Sequence, residues 1–329
     1  MNKTIKYAKA VLLAVLCLSL SLLFVACGEK TQYTVTFDAG AEYSIQSQQI
    51  TEGEQATRPD DPERFGFKIV KWKNGSTEWD FSSPVTQNVT LVAEWKQYIF
   101  VEDGVITECI PNEMPAELTI PGSINTIGEE VFRSCNNLEK VVVSSGVVTL
   151  DDMAFFCCNN LTEVTLPDSV TSVGVSAFGM CGKLERAVLS NSLTEISGAL
   201  FDQCGNLTSI TIPDGVTTIG NSAFYNCNKM TSLAIPAGVQ NIGDGAFSNC
   251  TSLVTFTFGE NSQITSIGSN AFWGCSAITS ITIPASVTTV GQNAFRFCDK
   301  LTINCKALSQ PSGWDTAWNS GNRPVNWGV

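Results

Sequence analysis

The chain of 329 residues is expected to fold mainly as β structure with short helical turns, a repeat solenoid preceded by a small β-rich domain. The first observation behind this is a beat. A phenylalanine stands three residues before a cysteine at Phe132/Cys135, Phe155/Cys158, Phe178/Cys181, Phe201/Cys204, Phe224/Cys227, Phe247/Cys250, Phe272/Cys275 and Phe295/Cys298, with successive cysteines 23, 23, 23, 23, 23, 25 and 23 residues apart. A unit that short cannot bury its own apolar face and must stack on its neighbours. The second observation is that residues 33–95 lack the beat and alternate at period two instead, as in Tyr33-Thr34-Val35-Thr36-Phe37 and Val89-Thr90-Leu91-Val92-Ala93-Glu94-Trp95.

Residues 1–27 read as a secretory signal, with Lys3, Lys6 and Lys9 ahead of an apolar run from Val11 to Val25 that Ser19 and Ser21 interrupt. Phe24-Val25-Ala26-Cys27 resembles the bacterial lipobox, which implies cleavage before Cys27 and a diacylglycerol on its thiol. An ordinary cleavage site and an uncleaved anchor are the other readings of these residues. No later run is long and apolar enough to span a bilayer. The mature chain is therefore expected to be lipid-anchored at a bacterial cell envelope, facing outward and touching the membrane through its lipid only.

Composition removes several function classes. The chain carries 31 acidic against 19 basic side chains, which offers no electrostatic footprint for nucleic acid, so none is expected as a partner. It contains no histidine, so Ser-His and Cys-His couples and imidazole metal ligands are absent. Carboxylate-only catalysis survives that exclusion, but no carboxylate pair stands out from the turn acids. No enzyme activity, cofactor or metal is expected.

Within 33–95 come V-T-F-D at the opening, Pro59-x-x-Pro62-x-x-x-Gly66-Phe67, Trp72, Asp80-Phe81-x-x-Pro84-Val85-Thr86, and L-x-A-x-W at the close. These pieces resemble the Listeria-Bacteroides (internalin B-type) repeat, with Lys71 in place of the usual glycine before the tryptophan. The resemblance implies a β-grasp-like module with a central helix or helical turn. In so small a domain Phe37, Phe67, Trp72, Phe81 and Trp95 are expected to fill the core, the alternative being a ligand platform. Residues 98–117, with Pro111 and Pro115, read as a linker.

One repeat shows the logic of 118–305. In Leu207-Thr208-Ser209-Ile210-Thr211-Ile212 the isoleucines point inward on a short strand, Pro213 ends it and Asp214-Gly215 turns the chain. Val216 and Ile219 bury a second edge before Gly220, and Ala223-Phe224 enter from a short helical or irregular turn that Cys227 closes. The strand I-x-I-P, then V-x-x-I-G, then A-F-x-x-C resembles the BspA-like leucine-rich repeat. That resemblance implies a surface protein and adhesion, to host components or to neighbouring cells.

Stacked repeats place equivalent atoms about 4.8 Å apart, whereas a disulfide wants Cβ atoms about 3.5–4.5 Å apart and converging, so Cys135 to Cys298 are expected as a ladder of reduced thiols. Cys109, Cys157 and Cys305 stand outside it, and spacing leaves their pairing open. Residues 306–329 abandon the period. Their Trp314, Trp318 and Trp327 either cap the last repeat or stack on sugars. The stacked strands are expected to form one sheet, whose outward columns begin Lys140, Glu163, Arg186 and Val142, Thr165, Val188 and continue in small hydroxyl residues. Lys140, Glu163 and Arg186 are the candidate binding face. The expected function is binding of a protein ligand, with glycan binding as the alternative.

Overall fold

The computed structural model describes residues 30–329, in two compact units divided at Lys96/Gln97. The expected signal peptide and Cys27 lie outside the described residues.

In the first unit the alternating segments form one sheet. Its strands are β1 (Gln32–Asp38), β2 (Gln48–Thr51), β3 (Phe67–Asn74), β4 (Thr77–Glu78) and β5 (Val89–Gln97), in the order β2-β1-β5-β3-β4. β1 runs antiparallel to β2 and parallel to β5. One face buries Val35, Phe37, Ile69, Trp72 and Leu91, with Phe37 edge-on to Trp72 at 5.3 Å. Phe81 and Trp95 pack half-buried against this core, and Phe67 lies half-buried under the Arg64 guanidinium. The aromatics therefore serve packing and do not form an open platform. The helix implied by the resemblance does not form: the stretch from β2 to β3 is irregular, and Pro59 and Pro62 remove donors that a helix there would need.

The second unit begins earlier than the period predicts. Residues 98–117, expected as a linker, hold the antiparallel hairpin Ile99–Glu102/Val105–Cys109, and its second strand pairs in parallel with Thr126–Ile127. The turn is Asp103-Gly104, both with positive φ (49° and 79°), a two-residue connection whose twist matches the flanking strands. This hairpin closes the N-terminal end of the array.

Each repeat then contributes three sides. The first is a strand such as Lys140–Val143, in register with Glu163–Thr165 one repeat on. The second is a two-residue strand such as Thr149–Leu150, paired with Ser172–Val173. The third is the A-F-x-x-C turn, where the amide of each beat phenylalanine from Phe132 to Phe272 donates to the carbonyl one repeat ahead, as in Phe132 to Ala154, Phe224 to Ala246 and Phe272 to Ala294, all at 2.8 Å. Of the two readings of this turn, helical or irregular, the irregular one holds; among the described residues the helical structure is one 3-10 turn, Pro111–Glu113. The cause is local: the residue before Ala-Phe and the residue before the cysteine both take positive φ, as in Ser222 (55°) and Asn226 (58°), and a left-handed residue at each end interrupts any right-handed helix.

The core is a stack. The eight phenylalanines of the Phe/Cys beat, Phe132 through Phe295, are fully buried, and their rings follow one another at 5.0 to 5.9 Å, nearly parallel. Close backbone approach governs the glycine after the second strand. A Cβ on Gly243 would stand 2.6 Å from the Asn221 nitrogen and 2.7 Å from the Gly220 carbonyl carbon, in the backbone of the preceding repeat. Gly243→Ala is expected to lower stability by about 1–3 kcal/mol through overpacking, read as a shift of the urea unfolding midpoint.

The strands do not make one continuous sheet, contrary to expectation. On the first side they fall into a sheet from Glu117–Ile120 to Arg186–Val188, a pair Ser232–Ile235/Thr255–Phe258, and a sheet Ser280–Ile283/Thr302–Cys305/Val325–Trp327. The last break falls at the two-residue insertion around Gly259, and a recess of about 680 Å³ opens there. On the second side the break lies between Ser172–Val173 and Glu195–Ile196, where the Ser197 hydroxyl donates to the Val173 carbonyl.

Residues 306–329 continue all three sides past the last repeat. Val325–Trp327 pairs in parallel with the strand Thr302–Cys305, Asp315 N–H donates to Val290, and Asn293 N–H donates to Ala317. Trp318 lies edge-on against Phe295, the end of the stack, and Trp314 donates its Nε1–H to the Val287 carbonyl at 3.2 Å. Both are 4 % exposed, so these tryptophans are not an open platform for sugars.

Candidate functional site

Parallel register brings the three expected face residues together. Lys140 lies beside Glu163 and Glu163 beside Arg186, with Glu117 at the head of the column. Their charges alternate: Glu163 is 3.8 Å from the Lys140 ammonium and 3.6 Å from the Arg186 guanidinium. Arg186 is the most open of them, its side chain 71 % exposed. Two residues on, Val142 and Val188 are exposed on either side of half-buried Thr165. The four-strand sheet thus presents a surface on which exposed, alternating charges border exposed methyl groups. Exposed pairs of this kind add little stability.

The cysteine ladder has a structural explanation. Each thiol from Cys158 to Cys298 donates to the phenylalanine carbonyl of the preceding repeat, for example Cys158 to Phe132 at 3.0 Å and Cys227 to Phe201 at 3.2 Å. Cysteine is small and apolar enough for the core, and its thiol adds a second donor to a carbonyl that already takes the backbone amide of its own repeat's cysteine, as Phe132 takes Cys135 N–H at 3.1 Å. The thiols are free. Burial pushes Cys158 and Cys250 from an ordinary value near 9 up to about 12, and Cys305 up to about 11. A raised thiol pKa stabilises the fold fully below the unfolded value, and this contribution is lost as pH climbs towards the folded value. Stability is expected to fall by about 1.4 kcal/mol per pH unit for each such thiol, from pH 9 to about 12 for Cys158 and Cys250 and from pH 9 to about 11 for Cys305, in denaturant titrations across that range.

Cys109 and Cys157 differ from the rungs. Cys135 has no earlier phenylalanine to meet; its sulfur lies 3.4 Å from that of Cys109, whose own thiol donates to the Val131 carbonyl. The Cys135 thiol holds Cys109 below its ordinary range. Cys157 is half-buried, its thiol 3.6 Å from the Met180 sulfur. In native protein at neutral pH a thiol reagent is expected to label Cys157 first and the rungs only on unfolding, as peptide mapping of the labelled sites would establish.

The turn acids are staples. Asp152 accepts from the Val175 amide and Asp244 from the Ser269 amide, both at 2.7 Å, each tying one repeat to the next. Among the described residues no three Cys, Asp or Glu side chains converge as metal ligands, and no helix is long and apolar enough to cross a membrane. One feature of the turn side escaped the sequence reading: Tyr225 and Trp273 stand half-buried on repeats two apart, with small Ser248 between them. Aligning the residue that follows Ala-Phe in each repeat would have found it.

The fold is a β-solenoid of the leucine-rich-repeat kind. Residues 112–231 and 217–307 match the BspA type leucine rich repeat region, and the chain belongs to that family. Residues 33–94 match the Listeria-Bacteroides repeat domain. Among solved structures the chain is similar to a leucine rich repeat protein of T. pallidum, at 25 % identity and a TM-score of 0.46, over 60 % of this chain and 82 % of that one. It is also similar to a leucine rich cell surface protein of Faecalibacterium prausnitzii, at 18 % identity and a TM-score of 0.30, over 71 % and 96 % of the two chains. No curated protein matches it.

Proposed function

We propose that the protein is a non-catalytic lipoprotein of the bacterial cell surface, held by a lipid on Cys27, whose repeats bind a protein ligand on host or neighbouring cells. The observation that carries this reading is the face of Lys140, Glu163 and Arg186 bordered by exposed Val142 and Val188. Family membership and the signal-like leader support it. Charges at the rim of such a face steer encounter and fix register, while the valines supply contact area.

Binding of residues 28–329 to panels of extracellular matrix and bacterial surface proteins tests the reading. Saturable binding to a protein is expected, weakened at least about tenfold, or about 1.4 kcal/mol, by the pair Lys140→Glu and Arg186→Glu. Saturable binding to sugars with none to any protein would sink it. For the anchor, Cys27→Ala is expected to move the expressed protein from the membrane fraction to the soluble or secreted fraction and to abolish incorporation of labelled fatty acid.

A further inference from the structure

The turn side of the array carries a second surface with a different chemistry. Tyr225 and Trp273 follow Phe224 and Phe272, whose rings stand 5.5 and 5.4 Å from that of Phe247 in the repeat between them. The intervening repeat places Ser248, 4 % exposed, between the two aromatic side chains. Gly245, at φ 62°, leaves the adjoining floor without a side chain, where most repeats carry one. The result is a recess of about 330 Å³ with Tyr225 and Trp273 as walls. Its rim is Ser222, Asp244, Ser269 and Asn270.

The Trp273 wall is braced. Phe297 of the following repeat meets its ring edge-on at 5.1 Å, and the Arg296 guanidinium lies 4.9 Å over Phe297. The Trp273 carbonyl takes the Asn249 amide at 2.7 Å. Such bracing holds the indole in place before anything binds, which spares a ligand the cost of ordering it.

Two aromatic walls over a small polar floor suit one type of ligand. The faces of a sugar ring are lined with C–H groups carrying partial positive charge, which the negative face of an aromatic ring attracts. Its equatorial hydroxyls need donors and acceptors at the edge. Asp244 supplies a carboxylate whose Oδ1 is held by the Ser269 amide, leaving Oδ2 for a ligand; Asn270 supplies an amide, and Ser222 and Ser269 supply hydroxyls. No lysine or arginine lines the recess, and its one charge is negative, which disfavours an acidic sugar or a phosphate. The volume lies at the small end of ligand pockets. We propose that the Tyr225–Trp273 recess binds a neutral pyranose residue, a hexose or an N-acetylhexosamine, of a glycan chain.

This goes beyond the protein-binding reading and does not depend on it, since the recess lies on a different side of the repeat from Lys140 and Arg186. The test is saturation-transfer NMR and tryptophan fluorescence of residues 28–329 with methyl glucoside, methyl galactoside, methyl mannoside, N-acetylglucosamine and a proline-rich peptide. Saturable binding of at least one sugar is expected, weakened tenfold or more by Trp273→Ala and separately by Tyr225→Ala, and unchanged by Lys140→Glu. The two wall variants guard against misfolding of either, each being checked by its unfolding midpoint. Absence of saturable sugar binding, sugar binding that survives both wall variants, or binding of the peptide alone would overturn the proposal. Loss of sugar binding in the wall variants with protein binding intact would separate the two sites.

Discussion

Replacing Phe224 with alanine is expected to destabilise the array by about 3–5 kcal/mol, among the largest effects of any single change in the repeats. The ring is fully buried and sits 5.6 Å from Phe201 and 5.5 Å from Phe247 in a nearly parallel column. Removing it leaves a cavity that cannot close, because the backbone on either side is pinned by the Phe224 to Ala246 and Phe201 to Ala223 hydrogen bonds, each at 2.8 Å. Repeats gain stability from nearest-neighbour contacts, so the loss acts on both flanking interfaces at once. Equilibrium urea unfolding followed by circular dichroism would read it as a lower midpoint. A change under 1 kcal/mol would mean that the aromatic stack is not the main source of coupling between repeats.

Trp314→Ala is expected to cost a similar amount, about 3–5 kcal/mol, but at one end. Trp314 is 4 % exposed, contacts the Trp318 ring at 4.7 Å and the Trp327 ring at 5.6 Å, and satisfies the Val287 carbonyl. Its loss would open the cap and leave Phe295 and the final strand facing water. Hydrogen exchange is the discriminating measurement: protection is expected to fall first in 280–329, with the Phe132–Phe201 repeats little changed. Uniform loss of protection along the chain would contradict this picture of the cap.

Much of the repeat was legible because its physics is periodic. The inward strand isoleucines, the phenylalanine stack and the reduced thiols each follow from what a stacked unit must bury, and one reading of Leu207–Cys227 serves for nearly every repeat. Whether the Ala-Phe turn is helical or irregular was not legible, because the left-handed residues that make it irregular include Met153, Ala199 and Phe297, whose side chains give no warning of positive φ. Stacking hydrogen bonds impose that conformation from outside the segment. The opening hairpin was legible and missed: Asp103-Gly104 between two apolar runs is a turn signal, outweighed by Pro111 and Pro115 further on. The alternating charges of Lys140, Glu163 and Arg186 were visible as a column, since register follows the period. The Tyr225–Trp273 recess was hidden because its residues are spread over 52 positions, from Ser222 to Trp273, and meet only through stacking.

The sheet breaks carry a mechanical consequence. On the first side hydrogen bonding is interrupted around Ser209–Ile212 and again between Phe258 and Ser280; on the second it is interrupted between Val173 and Glu195. These gaps fall at different heights along the array, and the phenylalanine amides bridge every one of them on the third side. Like staggered joints in masonry, they leave no plane along which the rod can part cleanly. The repeat array would then bear tension along its length as a single beam, with its two ends, sealed by the hairpin and by the tryptophans, as the places where it starts to fray.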